Sequence, residues 1–293
     1  MRALPTLLLL VAVTGCTALV GEGAYTYDVD PCEPVDPALC GEGGQAIYLL
    51  VSDLDVFRGR GRMLDGFDLD GTDATVCSNP DTVGADGRRG VDNAVSPLVA
   101  TLEVVAGEPF GESMRTSILA GETLSVIELG GIDDLTDDPC LVMRSRTARL
   151  PAGVTAAAAH LDADADGAVD PGVVLDFGSP HLQDSGACII DGVLHARVDG
   201  VVIGPIGVGE GPSRRFRIRG EISEAGLSRA AWGGSFEVDG LVDGVRDAGL
   251  DDVTASSVLQ AAADLDFDGE RCRSLSYGFS FSAVPFTPGE LRP

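Results

Sequence analysis

Leu275-Ser276-Tyr277-Gly278-Phe279-Ser280-Phe281-Ser282-Ala283 alternates apolar residues with serine and glycine along its whole length. Successive side chains of an extended chain point to opposite faces of a sheet. The stretch therefore predicts a strand with Leu275, Tyr277, Phe279, Phe281 and Ala283 turned to a core. Ser276, Gly278, Ser280 and Ser282 fall on the other face. The same two-residue period recurs from Arg215 to Ile222. There Phe216, Ile218 and Gly220 oppose a basic outer face of Arg215, Arg217 and Arg219. Asp191-Gly192 and Asp199-Gly200, each between apolar or alternating runs, read as type I′ hairpin turns. With Val193 to Val198 between them, residues 187–204 are expected to form a three-stranded meander. Further strands are expected at Ala46–Ser52, Thr123–Leu129, Cys140–Ala148 and Val173–Phe177. Short helices are expected from an Asp92 cap through Val105, at Ser113–Ala120, at Asp239–Val245 and at Ala255–Ala263. No internal repeat is visible, which argues against solenoids and propellers. The fold class is mainly β: an antiparallel sandwich or barrel with a few short helices.

The N-terminus sets the expected compartment. Arg2 gives a positive n-region, and Leu4 to Val13 is apolar apart from Thr6 but too short to span a bilayer as a helix. Val13-Thr14-Gly15-Cys16 then places a branched residue and two small ones before a cysteine. This pattern resembles a bacterial lipobox. It implies a signal peptide over residues 1–15 and acylation of Cys16, which becomes the new N-terminus. More than one acyl chain is needed for stable anchoring. Thr17 rather than an aspartate comes after the cysteine, which favours the outer membrane. Residues 16–44 carry Pro31, Pro34 and Pro37 among acids and glycines and read as a tether. Residues 45–293 are expected to fold as one β-rich globular domain, with a possible subdivision near residue 150.

Forty-six acids face 20 basic residues, a formal charge of −26. The basic residues are all arginine. Such a charge repels nucleic-acid backbones and anionic lipid surfaces, so no nucleic-acid partner is expected. It also strains a compact fold by self-repulsion, a strain that bound cations relieve. Beyond Cys16 there remain Cys32, Cys40, Cys77, Cys140, Cys188 and Cys272. An even set outside the cytoplasm points to three disulfides. Cys32 and Cys40, close together in a Pro-rich segment, are the expected pair; spacing alone assigns no partners to the other four.

Asp162, Asp164, Asp166, Gly167 and Asp170 give the spacing D-x-D-x-D-G-x-x-D. Calcium takes six to eight hard oxygens at about 2.3–2.6 Å, and alternate side chains of a tight loop converge on one point. The spacing resembles the calcium loops of EF-hands, dockerins and thrombospondin type 3 repeats. That resemblance implies a calcium site, with the Ala168 carbonyl and Asp170 as further ligands. The twelfth position is Val173 where an EF-hand has a bidentate glutamate, which implies a weak site, on the order of 10⁻⁴–10⁻³ M. Asx-turns in a solvated loop are the alternative. A second run holds Asp264, Asp266, Asp268, Gly269 and Glu270. A third, shorter one holds Asp68, Asp70 and Asp73 around Gly71. Asp133, Asp134, Asp137 and Asp138 read as a charged turn.

The lipobox at Cys16 and three further elements together resemble a poorly characterised group of Asp-rich lipoproteins from high-GC Gram-negative bacteria. The three further elements are Gly66-Phe67-Asp68-Leu69-Asp70-Gly71, Gly90-Val91-Asp92-Asn93 before a helix, and Asp264 to Cys272 leading into a strand that ends Ala283-Val284-Pro285. The group carries no assigned activity, so the resemblance implies location and topology alone. His160, His181 and His195 form no H-E-x-x-H, and there is no G-x-S-x-G. No catalytic residue is assigned. The expectation is a non-enzymatic, membrane-anchored, calcium-stabilised envelope lipoprotein with a binding or structural role. Two alternatives stand beside it: a surface hydrolase using paired carboxylates, and a subunit of an envelope protein assembly.

Overall fold

The structure is a computed structural model; it describes residues 32, 40, 44–56, 66–71, 90–180, 185–198, 202–203, 212–247 and 252–291. The strands are β1 (Gln45–Val56), β2 (Leu124–Ile132), β3 (Asp138–Arg149), β4 (Val174–Pro180), β5 (Ser185–Ile190), β6 (Val193–Val198), β7 (Val202–Ile203), β8 (Pro212–Ser223), β9 (Gly226–Glu237), β10 (Ser274–Pro285) and β11 (Thr287–Leu291). Among them lie α1 (Val95–Ala106), α2 (Phe110–Leu119), α3 (Ala156–Ala159), α4 (Val238–Asp247) and α5 (Asp252–Ala262).

Eight antiparallel strands close into a barrel in the order β3-β2-β1-β10-β9-β8-β6-β5, with β5 returning to β3. The barrel draws strands from both sides of residue 150. β3 is long enough to serve two partners. Its first half, Asp138 to Met143, pairs β5 and closes the barrel, while its second half, Arg146 to Arg149, pairs β4. β4 in turn takes β11 in parallel, so these two strands extend the sheet away from the barrel wall.

Strand β10 behaves as its sequence requires. Leu275, Tyr277, Phe279, Phe281 and Ala283 all enter the barrel core. β1 reaches the same interior through a bulge between Val51 and Asp53. Leu49 and Val51 point inward before it, and Leu54 and Val56 after it. The extra residue flips the alternation, as a bulge must. Inside, Trp232 meets Phe216 and Phe281 edge-on at 5.5 and 6.0 Å, and Phe236 stacks on Tyr277 at 4.4 Å. An eight-stranded barrel is about wide enough for side chains to fill. The Tyr277 hydroxyl lies 2.6 Å from the Ser213 hydroxyl, and burial pushes its pKa up to about 12. Val99, Met114, Leu241 and Leu259 bring α1, α2, α4 and α5 into the same cluster.

A second core lies outside the wall. Leu50, Leu124, Val126 and Ala148 are outward-facing residues of β1, β2 and β3, and they pack with Ile118, Leu161, Val169, Leu175, Phe177 and Phe286. A third, small cluster joins Phe67, Leu69, Ala231 and Leu265.

The structure corrects several expectations. The Asp191-Gly192 hairpin is present, with both residues at positive φ, 51° and 75°, as a type I′ turn requires. The meander is not. β6 pairs β8 at Phe216–Glu221, and β7 pairs the same β8 at Pro212–Ser213. The two short strands thus lie in succession along one long partner, with no reversal between them; residues 199–201 lie outside the described residues. Cys32 and Cys40 do not pair with each other. Cys32 bonds Cys188 and Cys40 bonds Cys140. Proximity in sequence favoured the short loop, but the fold brings β3 and β5 beneath both cysteines. Cys272 is also disulfide-bonded; Cys77 lies outside the described residues. Asp92 does not cap α1. The helix begins after Ala94 without a side-chain cap, and Asp92 accepts the Leu69 amide at 2.6 Å instead. Asp133 to Asp138 form the expected charged turn. Asp138, however, is buried there and accepts the Asp133 and Cys140 amides.

Candidate metal centre

The first aspartate loop is held at both ends by the second core. Leu161 and Val169 are buried in that core, and the Asp170 amide donates to the Leu161 carbonyl at 2.9 Å. The loop enters from α3, whose Thr155 cap accepts the Ala158 amide and whose end at His160 is left-handed. Between the anchors the chain must turn tightly. Ala165 and Gly167 take φ of 59° and 82°. For Ala165 that conformation costs roughly 1–2 kcal/mol.

Each aspartate fixes part of the loop. Asp162 accepts the Gly167 amide at 3.1 Å, Asp164 the Asp166 amide at 3.2 Å and Asp166 the Ala168 amide at 2.8 Å. The last two are Asx-turn bonds and the first spans five residues; each occupies one carboxylate oxygen. Ligand oxygens of Asp162, Asp164 and Asp166 nevertheless lie within 4.8 Å of one another. The inner oxygen of Asp162, Oδ1, is shielded from solvent and accepts no hydrogen bond among the described residues. Three carboxylates at this spacing repel by on the order of 1 kcal/mol per pair even in water. Asp170, expected as a ligand, stands outside the group and accepts the Ala163 amide, closing the loop. The chain then continues into strand β4, so the helix–loop–helix of an EF-hand is not formed here.

The second run does not converge. Asp264 turns inward, is 7% exposed and accepts both the amide and the hydroxyl of Ser276. Asp266 pairs with Arg215 at 2.6 Å. Asp268 accepts the Glu270 and Arg271 amides and pairs with Arg273. Glu270 is exposed. These partners set the carboxyl pKa values. Burial raises Asp264 to about 6 against its Ser276 hydrogen bonds, with Asp70 adding repulsion. For Asp266 burial pulls upward but is outweighed by bonds from Ser274 and Arg215, and the carboxyl is lowered. The backbone amides of Arg271 and Glu270, with Arg273, hold Asp268 far below the usual range.

The third run gains a member that the sequence did not indicate. Phe67 and Asp92 form an isolated bridge, and the Leu69 amide donates to Asp92. Asp68 accepts the Gly71 amide at 2.6 Å. Asp68, Asp70 and Asp92 thereby bring ligand oxygens within 4.8 Å, Asp68 and Asp92 being buried. Asp73 lies outside the described residues. In the sequence, Gly66 to Gly71 and Gly90 to Asn93 are separate segments; only a long-range bridge joins them, and no local spacing announces it. The Asn93 side chain then pairs with both backbone groups of Gly278, fixing this corner to β10.

Comparisons with protein-family models, with curated proteins and with solved structures find no match to this chain.

Proposed function

We propose that this chain is an exported, lipid-anchored β-barrel of the cell envelope, stabilised by calcium in the Asp162–Gly167 loop, with a binding or structural role. The observation that carries the calcium reading is the convergence of Asp162, Asp164 and Asp166 on a loop pinned at both ends to a core. Hard carboxylate oxygens suit calcium or magnesium, and calcium is the less demanding of the two in coordination geometry. The formal charge of −26 adds a general reason for a cation to stabilise the fold. Calcium titrated calorimetrically into chelator-stripped protein is expected to bind this loop with a Kd on the order of 10⁻⁴–10⁻³ M. Asp164→Ala with Asp166→Ala removes that binding; equal heats from both proteins refute the assignment.

Export and anchoring rest on the lipobox at Val13–Cys16. The disulfides Cys32–Cys188 and Cys40–Cys140 support this reading, because such bonds persist in oxidising compartments. The partner is a membrane, reached through acyl chains on Cys16 and in the proposed setting the outer membrane, with a second envelope protein as a further candidate partner. Cys16→Ser is expected to move the protein from the membrane fraction to the soluble one and to abolish incorporation of labelled fatty acid. Unchanged fractionation and labelling count against the anchor.

A further inference from the structure

The disulfides Cys32–Cys188 and Cys40–Cys140 meet at the seam where the barrel closes. β5 joins β3 through Leu141 opposite Ala187, Val142 opposite Gly186 and Met143 opposite Ser185. The register then slips, and Asp138 lies opposite Ile189. Pro139 and Cys140 on one strand therefore share Cys188 as their counterpart on the other, as at a bulge. Residues opposed across antiparallel strands have Cα atoms about 4.5–5.5 Å apart. A disulfide spans about 4.4–6.8 Å. Cys188 lies between the inward-facing Ala187 and Ile189, and Cys140 precedes the inward-facing Leu141. Both cysteines thus point out of the barrel, and their Cα atoms lie 5.8 and 5.2 Å from those of Cys32 and Cys40. Four bonded sulfurs share one patch of outer wall. Cross-strand neighbours are bonded to two cysteines from a preceding segment, not to each other.

We infer that this patch is a disulfide-exchange site, at which the stapled pairing Cys32–Cys188 with Cys40–Cys140 isomerises to a released pairing, Cys32–Cys40 with Cys140–Cys188. An external thiol, small or carried on a thiol oxidoreductase, starts the exchange. Its thiolate attacks Sγ of Cys32, the partly exposed partner of fully buried Cys188. The Cys32–Cys188 bond breaks, and Cys188 leaves as a thiolate. Cys188 attacks Sγ of Cys140 across the seam, forming Cys140–Cys188 and expelling Cys40 as a thiolate. Cys40 attacks Cys32 in the mixed disulfide, forming Cys32–Cys40 and returning the external thiolate. Two disulfides break and two form, with no net oxidation. In the stapled form the segment bearing Cys32 and Cys40 is tied to the barrel wall. In the released form the seam is tied to itself, and that segment is bonded only to itself. If the anchoring reading above holds, the exchange lengthens the tether between Cys16 and the barrel; the exchange chemistry itself does not depend on the anchor.

The test uses the oxidised full-length chain with substoichiometric reduced glutathione at about pH 8, where thiolates form. Samples are alkylated over time, digested without reduction and mapped by mass spectrometry. Peptides linking Cys140 to Cys188 and Cys32 to Cys40 are expected to accumulate to a constant ratio with the original links, at unchanged free-thiol content. Only the original links, or reduced cysteines without the two new links, overturn the inference. The variant Cys32→Ser with Cys40→Ser gives a second readout. It is expected to form Cys140–Cys188 on oxidation while keeping the circular dichroism of the barrel. A folded variant in which both remain thiols under oxidant also overturns it. Should the variant not fold, the wild-type map alone decides.

Discussion

Removing the Cys32–Cys188 bond by paired substitution to alanine is expected to destabilise the protein by up to about 5 kcal/mol in the chain-entropy model. The size comes from the sequence separation of 156 residues that this bond closes. The Cys40–Cys140 loop, separation 100, lies inside it. While one bond is present the ends of the other are already held nearer each other, so the first removal costs less than the second, and removing both pairs costs more than twice the loss from one. The short Cys32–Cys40 loop expected from sequence would have contributed only about 2–3 kcal/mol. Urea unfolding of the oxidised wild type and of each paired variant measures the difference as a loss of unfolding free energy in water, with a slope that rises as the uncross-linked unfolded chain expands. The barrel seam sharpens the expectation, because β5 joins β3 over a short, slipped register and both bonds sit on that junction. A loss of only about 2 kcal/mol, the short-loop value, would mean that the long loops are not closed in the folded protein.

The second large effect is the contribution of one buried carboxyl to the dependence of stability on pH. Asp264 is 7% exposed and has its carboxyl raised from 3.8 to about 6, chiefly by burial. Ionising it therefore costs more in the folded state than in the unfolded chain. The stability associated with its neutral form is fully present below about pH 4 and is lost as pH rises through about 6. The loss amounts to roughly 3 kcal/mol. This runs opposite to the usual behaviour of surface carboxylates such as Asp268, whose lowered pKa favours folding above its range. Asp264→Asn keeps an acceptor for the Ser276 amide and, like the protonated acid, offers the Ser276 hydroxyl a donor in place of the carboxylate acceptor. It is expected to flatten the fall in stability between about pH 4 and 6 and to leave the variant at least as stable as wild type at neutral pH. Parallel pH profiles for the two proteins would contradict this assignment.

Local chemistry made much of the fold legible. The alternation at Leu275–Ala283 marked both the strand and its inward face, and Arg215–Ile222 did the same for β8. Asp191-Gly192 supplied positive φ at two consecutive positions, which few dipeptides allow. Long-range pairing left no such mark. Nothing in Asp138–Arg149 announces that one half would close a barrel and the other half carry an extension. Asp199-Gly200 has the same composition as the true turn, but the length of β8 let β6 and β7 share one partner. The aspartates divide in the same way. Asp162, Asp164 and Asp166 converge because their spacing is local to one loop. Asp264, Asp266 and Asp268 share that spacing, yet Ser276, Arg215 and Arg273 draw them apart, and those partners come from elsewhere in the chain or beyond the run. Asp92 reads as a helix cap because it precedes α1; the Leu69 amide, distant in sequence, claims it instead.

The proposed calcium site in the Asp162–Gly167 loop is tested most directly by thermal unfolding of the oxidised protein in EDTA and again in millimolar calcium. A ligand that binds only the folded state raises the midpoint progressively, with the logarithm of its concentration once that exceeds Kd. The expected result is a rise of several degrees in wild type that grows with calcium concentration and is absent in Asp164→Ala with Asp166→Ala. Identical curves with and without calcium in wild type would contradict it, leaving Asp162, Asp164 and Asp166 as solvated turns on a barrel held by its disulfides.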